Sequence, residues 1–330
     1  MKSTWVDFKS PLAGAIKSFL AYKRALKRHY DNEEKSLRIL DRYLVERRIT
    51  LVSDVTPEVL ESFLKSRPRT RPRSYNHLLG VVRRLFDWMV TQEIIVHSPL
   101  RTAPRRVTAH RIPYLFDASL ARTLLKVAER LPDNSRAPLR GASYRMIFAL
   151  LFGLGLRVGE VSRLLLQDVD LDRNLLVIRR TKFDKSRLIP FGPRMGKALK
   201  EYLFLRERRW GLGDPDTPVF SFTKGKPMNP GTISQTFHHL LPHLNLKVRP
   251  GRALPCVHDL RHSFAVATLL RWYREGIKPA DRLLHLSTFL GHADPASTAV
   301  YLTITAELLH EANLRFACYA TPVFAEGGLQ

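Results

Sequence analysis

Apolar residues recur at helical spacing through the first hundred residues of the chain. Spacings of three and four residues place them on one face of a helix, which predicts amphipathic helices around a common core. Two such faces consist of Leu12, Ile16, Phe19, Leu20, Leu37, Leu40, Tyr43 and Leu44. Thr56 followed by Pro57 is typical of a helix start, because threonine caps free amide groups and proline fits the first helical position.

A longer helix is predicted from residue 74 to residue 91, with five apolar side chains facing inward. They are Leu78, Val81, Val82, Leu85 and Met89. Residues 98–113 are rich in proline and arginine and poor in apolar residues, which favours an interdomain linker. We therefore expect an N-terminal helical domain at residues 1–107 and a second domain at residues 113–330.

Helical patterning returns at residues 117–131 and 141–155 and is followed by two strands, predicted at residues 175–180 and 187–191. The turn between the strands contains Lys182. Helices dominate again from residue 193, including an amphipathic segment at residues 306–319. The predicted fold class is mainly α with a small antiparallel β-sheet, which makes the second domain α+β.

The charge indicates a polyanionic partner. Lys and Arg total 54 against 30 Asp and Glu, a formal net charge of +24, so nucleic acid is the first candidate. A ribosome-associated protein or a basic soluble surface would share this composition. The surplus is +11 in residues 1–107 and +13 in the rest of the chain, so both domains are expected to touch the polyanion.

Several classes of protein are disfavoured. The first residues lack the apolar core of a signal peptide, and no stretch approaches 18 consecutive apolar residues. The two cysteines, Cys256 and Cys318, have no metal or disulfide spacing. We expect an intracellular protein with no membrane contact, no metal ion and no cofactor.

Three segments of the second domain carry candidate chemistry. The first, GLGLRVGE, holds Arg157 and Glu160 at ion-pair spacing and lacks the G-K-[ST] ending of a phosphate-binding glycine loop. The second is HDLRH at residues 258–262. The third is LGHADP, in which His292 precedes Tyr301 by nine residues.

Together these segments resemble the tyrosine recombinase (phage integrase) family over roughly residues 113–310. The resemblance implies that Tyr301 is the nucleophile and that Glu160 supports an arginine. The other catalytic residues that it implies are Arg157, Lys182, His258, Arg261 and His292. It also implies that the chain cuts and rejoins DNA through a 3′-phosphotyrosine, without metal or ATP. The N-terminal helices would then form a core-binding domain, and the two domains a C-shaped clamp on DNA.

The chemistry of strand cleavage suits these residue types. Attack on a phosphodiester adds negative charge to the non-bridging oxygens, to which Arg157 and Arg261 can donate paired hydrogen bonds. His292 would add another hydrogen bond. A tyrosine hydroxyl is a poor nucleophile, so His258 is a candidate to take its proton. Lys182 is a candidate to protonate the departing 5′ oxygen.

The sequence leaves some assignments open. Lys185 is a rival to Lys182, and the neighbouring His262 is expected to be structural. The candidate DNA-contact residues, on a basic loop, the 74–91 helix and a helix near residue 230, are Arg69, Arg71, Arg73, Arg83, Arg84, Thr232 and Ser234. The basic loop could equally be a solvated connector. The segment 306–319 is expected to pack on its own domain or on a neighbouring protomer.

The stretch from Arg261 to His292 is longer than in compact family members. Its extension at residues 274–281 resembles recombinases linked to bacterial insertion elements, which favours integration, excision or transposition of a mobile element. The expected partners are duplex recombination sites, a homotetramer on paired sites, and other recombinases or host factors. The expected location is the cytoplasm of a bacterium, at the nucleoid.

Two alternatives remain. A type IB topoisomerase would use the same nucleophile to relax supercoils. A non-catalytic relative would bind DNA as an accessory factor, although it would have no need for the complete set of six catalytic residues.

Overall fold

The computed structural model describes residues 7–28, 30–107, 112–179, 186–223, 225–248, 253–292 and 294–303. The chain divides into two compact units, Met1–His110 and Arg111–Gln330. Over the described residues, none of the helices has the length and apolar character needed to cross a membrane.

The first unit is helical, as the apolar spacing predicts. Its helices are α1 (Ala13–Ala25), α2 (Asp31–Glu46), α3 (Pro57–Ser66) and α4 (Pro72–Thr91). The two predicted apolar faces and the inward residues of the long helix are all buried in one core. The Thr56 hydroxyl accepts a hydrogen bond from the Val59 amide and Pro57 occupies the first turn of α3, which confirms the predicted helix start.

The second unit is mainly helical with one small sheet, which confirms the predicted fold class. Its helices are α5 (Ala118–Glu129), α6 (Arg140–Gly153), α7 (Val158–Ser162), α8 (Pro193–Trp210), α9 (Pro230–Leu240), α10 (His258–Arg274), α11 (Pro279–Leu290) and α12 (Ala296–Ala299). Helix α6 is apolar on most of its surface and packs against α5, α8 and α10, because it lies at the centre of the core.

The sheet is antiparallel, with strands β1 (Val169–Asp170), β2 (Leu175–Ile178) and β3 (Arg187–Pro190) in the order β1-β2-β3. Leu176 pairs with Ile189, and both side chains are buried in the main core of the unit. The predicted hairpin is therefore present. β1 was not predicted, since two residues are too short to show an alternating pattern. The hairpin places Arg187 at the start of β3, beside the end of α11.

Candidate active site

The first site segment is organised by a sharp turn after α6. Gly155 has a φ of +61°, and a side chain there would come within 2.5 Å of the Phe264 ring, so glycine is required for both reasons. The turn places Arg157 at the cap of the short helix α7, where its amide donates to Glu160 Oε2 at 2.9 Å. The Arg157 guanidinium donates to Glu160 Oε1 at 2.8 Å, which confirms the ion pair expected from the spacing.

The buried carboxylate of Glu160 is shared by two arginines. Arg187 donates from Nη1 to Oε1 and from Nη2 to Oε2, each at 2.9 Å. Burial by itself raises the pKa of Glu160, but the hydrogen bonds and charge of Arg187, together with Arg157, outweigh it and lower the pKa to about 2. Glu160 is therefore ionised at any pH at which the protein works and holds both guanidiniums in place.

Three consecutive carbonyl groups at the end of α11 accept hydrogen bonds from three arginines. Arg187 Nε donates to Phe289 O at 2.8 Å, Arg261 Nη2 to Leu290 O at 2.6 Å, and Arg157 Nη2 to Gly291 O at 2.8 Å. The last carbonyls of a helix have no partner within the helix and carry partial negative charge, so they attract cations. The end of α11 therefore gathers Arg157 and Arg261 at one place.

Arg261 is the most deeply buried of these cations, with 1% of its surface exposed. Its Nη1 donates to Gly155 O at 2.6 Å, while its buried Nε has no hydrogen-bond partner among the described residues. Burial and the charge of Arg157 lower the pKa of Arg261 to about 9, which still leaves it cationic at neutral pH. A buried donor without a partner is costly, so an acceptor from outside the protein would be favourable here.

Tyr301 is buried beside these arginines and is 3% exposed. It packs in a small core formed mainly by α10 and α11, and its hydroxyl lies 2.9 Å from Nδ1 of His262. Burial raises the pKa of Tyr301, and the charges of Arg261 and Arg157 offset only part of that rise. The phenol is therefore protonated at neutral pH and needs a proton acceptor before it can attack.

His292 stacks on the Tyr301 ring, with ring centroids 6.3 Å apart and an interplanar angle of 22°. Its Nδ1 lies 2.6 Å from the hydroxyl oxygen of Thr298. Burial and then the charges of Arg261 and Arg157 lower the pKa of His292 to about 4. At neutral pH it is thus an uncharged ring that has one N–H to donate.

The structure brings Arg157, Glu160, Arg261, His292 and Tyr301 together. His258 is the exposed first residue of α10, and its ring meets that of His262 edge to face at 4.6 Å. Lys182 and its rival Lys185 lie outside the described residues, as does the segment 306–319.

Sequence reasoning did not assign a role in the site to Arg187 or His262. Arg187 follows the lysine-bearing turn, and only the fold shows that it reaches Glu160. His262 had a usable signal: at helical spacing it shares one face of α10 with Ala265, Val266 and Leu269, three residues of the core that buries Tyr301.

The candidate DNA-contact residues divide by environment. Arg71, Arg73, Arg84 and Thr232 are exposed. Arg83 and Arg84 have partners within their own unit, since they donate to the Thr102 carbonyl and the Tyr30 hydroxyl at 2.7 and 3.0 Å. Arg83 is half-buried. So are Arg69, whose Nη1 donates to Ser74 O at 3.5 Å, and Ser234, whose hydroxyl donates to Pro230 O.

Several recombinases are similar to this chain in sequence. The protein y4rB of Sinorhizobium fredii, described as an integrase/recombinase, is 34% identical over 266 residues, which cover 79% of this chain and 83% of that protein. Tyrosine recombinase XerC of Proteus mirabilis is 25% identical over 306 residues, covering 90% and 91%.

Solved structures share the fold. The Tn1549 transposon integrase in complex with a circular intermediate DNA matches with a TM-score of 0.61 at 17% identity, covering 92% of this chain and 99% of that one. A lambda integrase tetramer bound to a Holliday junction matches with a TM-score of 0.60 at 18% identity, covering 87% and 76%. Residues 121–307, more than half of the chain, match the model of the phage integrase family. The chain therefore belongs to the phage integrase family, the tyrosine-type site-specific DNA recombinases.

Proposed function

We propose that the protein cleaves and rejoins duplex DNA with Tyr301 as the nucleophile. The observation that carries the proposal is the position of one buried phenol, that of Tyr301, beside Arg157, Arg261 and His292. Attack of the phenolic oxygen on the scissile phosphorus forms a phosphotyrosine and breaks the bond to the 5′ oxygen.

The two arginines are proposed to hold the scissile phosphate. Each guanidinium has five N–H groups. Arg157 has its Nη atoms on Glu160 and Gly291 and Arg261 has its own on Gly155 and Leu290. The unpartnered Nε of Arg261 and the remaining N–H groups of Arg157 are thus available for the non-bridging oxygens, where negative charge accumulates in the transition state. The neutral His292 would donate one further hydrogen bond.

Two proton transfers complete the step. The phenolic proton passes to a histidine near the start of α10, the helix that carries both His258 and His262. Lys182 is proposed to protonate the departing 5′ oxygen. The phosphotyrosine preserves the energy of the broken bond, so attack by a 5′ hydroxyl rejoins a strand without ATP.

We propose that this chemistry moves a mobile element in the bacterial nucleoid and takes place in a tetramer on paired sites. The transposon integrase bound to a circular intermediate and the lambda integrase tetramer on a Holliday junction support both parts, because they share this fold. The long segment between Arg261 and His292 forms most of α10 and all of α11. It supports the mobile-element role, because its extension resembles recombinases linked to insertion elements.

The direct test is capture of the covalent intermediate. Wild-type protein is incubated with nicked suicide duplexes tiled across the DNA that flanks its gene, and adducts are resolved on denaturing gels. We expect an adduct that disappears in Tyr301→Phe and persists in the matched control Tyr273→Phe. An adduct that survives in Tyr301→Phe would show that another residue is the nucleophile. Salt-sensitive binding to those duplexes without any adduct would favour the accessory-factor alternative.

A further inference from the structure

We propose that His262 is the residue that receives the proton of Tyr301 when the phenol attacks DNA. The inference rests on the proposed function and adds to it a catalytic residue. Nδ1 of His262 lies 2.9 Å from the phenolic oxygen. The side chain of Arg261 also forms a hydrogen bond with the hydroxyl, but a guanidinium can only donate.

The position of His262 is fixed by the helix that carries it. His262 is half-buried on α10, one residue after the buried Arg261. Ala265, Val266 and Leu269 follow it on the same helical face, and they pack around the Tyr301 ring. Because the ring and the histidine are held by one packed surface, their hydrogen bond is built into the fold and does not depend on DNA.

The environment of the phenol makes a proton acceptor necessary. Tyr301 is almost fully buried, and the nearby cations Arg261 and Arg157 do not restore the acidity that burial removes. Neither guanidinium can accept a proton, since both are cationic. His292, which stacks on the Tyr301 ring, has its Nδ1 engaged with the hydroxyl of Thr298. An imidazole nitrogen that faces the hydroxyl is the acceptor that the site offers.

His258 is the neighbour of His262 on α10. It lies one helical turn before His262, is exposed, and presents its ring edge to face against that of His262. In the proposed step the phenolic proton moves to His262 Nδ1, the O–P bond forms and the bond from phosphorus to the 5′ oxygen breaks. Lys182 supplies the proton to that oxygen. On rejoining, Lys182 takes back the proton of the attacking 5′ hydroxyl, the bond from phosphorus to the phenolic oxygen breaks, and the phenolate regains its proton from His262. The protein therefore ends unchanged.

The test varies the acidity of the nucleophile together with the histidine. Single-turnover cleavage of the suicide duplex is measured for wild type, His262→Ala and His262→Asn, each with tyrosine or 3,5-difluorotyrosine at position 301. The control variant is His285→Ala, which replaces an exposed histidine of α11. Asparagine can keep a hydrogen bond near the Nδ1 position but cannot take the proton. Duplex binding and circular dichroism establish that each variant is folded.

We expect both His262 variants to form the adduct roughly 100- to 1,000-fold more slowly, the usual contribution of a general base. The more acidic fluorinated phenol should recover at least tenfold of that loss, because it needs less help to ionise. His285→Ala should react like wild type.

Three results would overturn the inference: cleavage by His262→Ala within threefold of wild type, full activity of His262→Asn, or a loss that the fluorinated phenol does not reduce. The second and third would mark His262 as a positioning residue. In each case the loss of the adduct in Tyr301→Phe would still support the proposed function, so the two conclusions fail separately.

Discussion

Replacing Arg187 with methionine should destabilise the second unit strongly, because Glu160 would lose half of its partners. The Arg187 side chain is 10% exposed and donates hydrogen bonds to both carboxylate oxygens and to Phe289 O. Removing one partner of a buried ion pair costs roughly 3–5 kcal/mol. For a domain of this size each kcal/mol lowers the melting temperature by about 2–4 °C, so a decrease of roughly 6–20 °C is expected.

Calorimetry and urea unfolding of the full chain at pH 7 measure this change. Arg173→Met is the matched control, since Arg173 belongs to the same unit but is 81% exposed and pairs with Asp170 at a long 3.9 Å. Its loss should change the free energy of unfolding by no more than about 0.5 kcal/mol. A loss below about 1 kcal/mol for Arg187→Met would refute the idea that Arg187 holds the carboxylate.

The pH dependence supplies a second check on Arg187. The pKa of Glu160 is lowered from 4.5 to about 2 in the folded protein, so its stabilising contribution is fully present above about pH 4.5 and disappears as the pH falls towards 2. The difference between wild type and Arg187→Met should shrink over that range. In addition, Glu160→Gln and Arg187→Met should be less than additive when combined, because they remove the same contacts.

Three further predictions follow from single features of the structure. Gly291→Ala should lower the free energy of unfolding by about 1–2 kcal/mol because φ is +69° there, and it should also slow cleavage, because the new methyl group would lie 2.7 Å from an Arg187 nitrogen. The control Gly276→Ala, with φ +78° and open space around it, should lower stability alone. Urea unfolding measures the first effect and adduct formation the second. The NMR titration of His292 should have its midpoint near pH 4, and a midpoint near 6.5 would contradict the burial argument. Stability should fall as the pH drops from about 6.5 to 4, since over that range the imidazole is protonated in the unfolded chain but not in the folded one. Arg73 is exposed in the first turn of α4. Arg73→Ala should reduce the slope of log K for DNA binding against log salt concentration by about one. An unchanged slope would show that Arg73 does not contact phosphate.

Local signals in the sequence were sufficient for much of the fold. The cap at Thr56, the inward face of α4, the hairpin of β2 and β3, and the pairing of Arg157 with Glu160 all depend on residues close in sequence. Each was predicted and each is present. Their physical basis is the period of a helix or strand and the reach of one side chain, which a single sequence displays.

The contacts that complete the site were beyond such reasoning. Arg187 lies 27 residues from Glu160 and 102 from Phe289, and only the packing of α11 against β3 brings them together. His262 was expected to be structural, since nothing close to it in sequence shows which side chain it meets. Its position opposite Tyr301, 39 residues away, is set by the shared core of α10 and α11.

The arrangement of charge explains why this site should bind a phosphate before it reacts. Among the described residues, the hydrogen bonds of Arg157, Arg187 and Arg261 reach one carboxylate, that of Glu160, together with backbone carbonyls and, from Arg261, the Tyr301 hydroxyl. Those carbonyls carry only partial negative charge, so the cations repel one another. Burial first, and then the charge of Arg157, lowers the pKa of Arg261. A phosphodiester would supply the missing negative charge and an acceptor for the unpartnered Arg261 Nε. In the proposed mechanism attack adds further negative charge to that phosphate. The same cations would then favour the transition state more than the bound substrate, and this difference would accelerate cleavage.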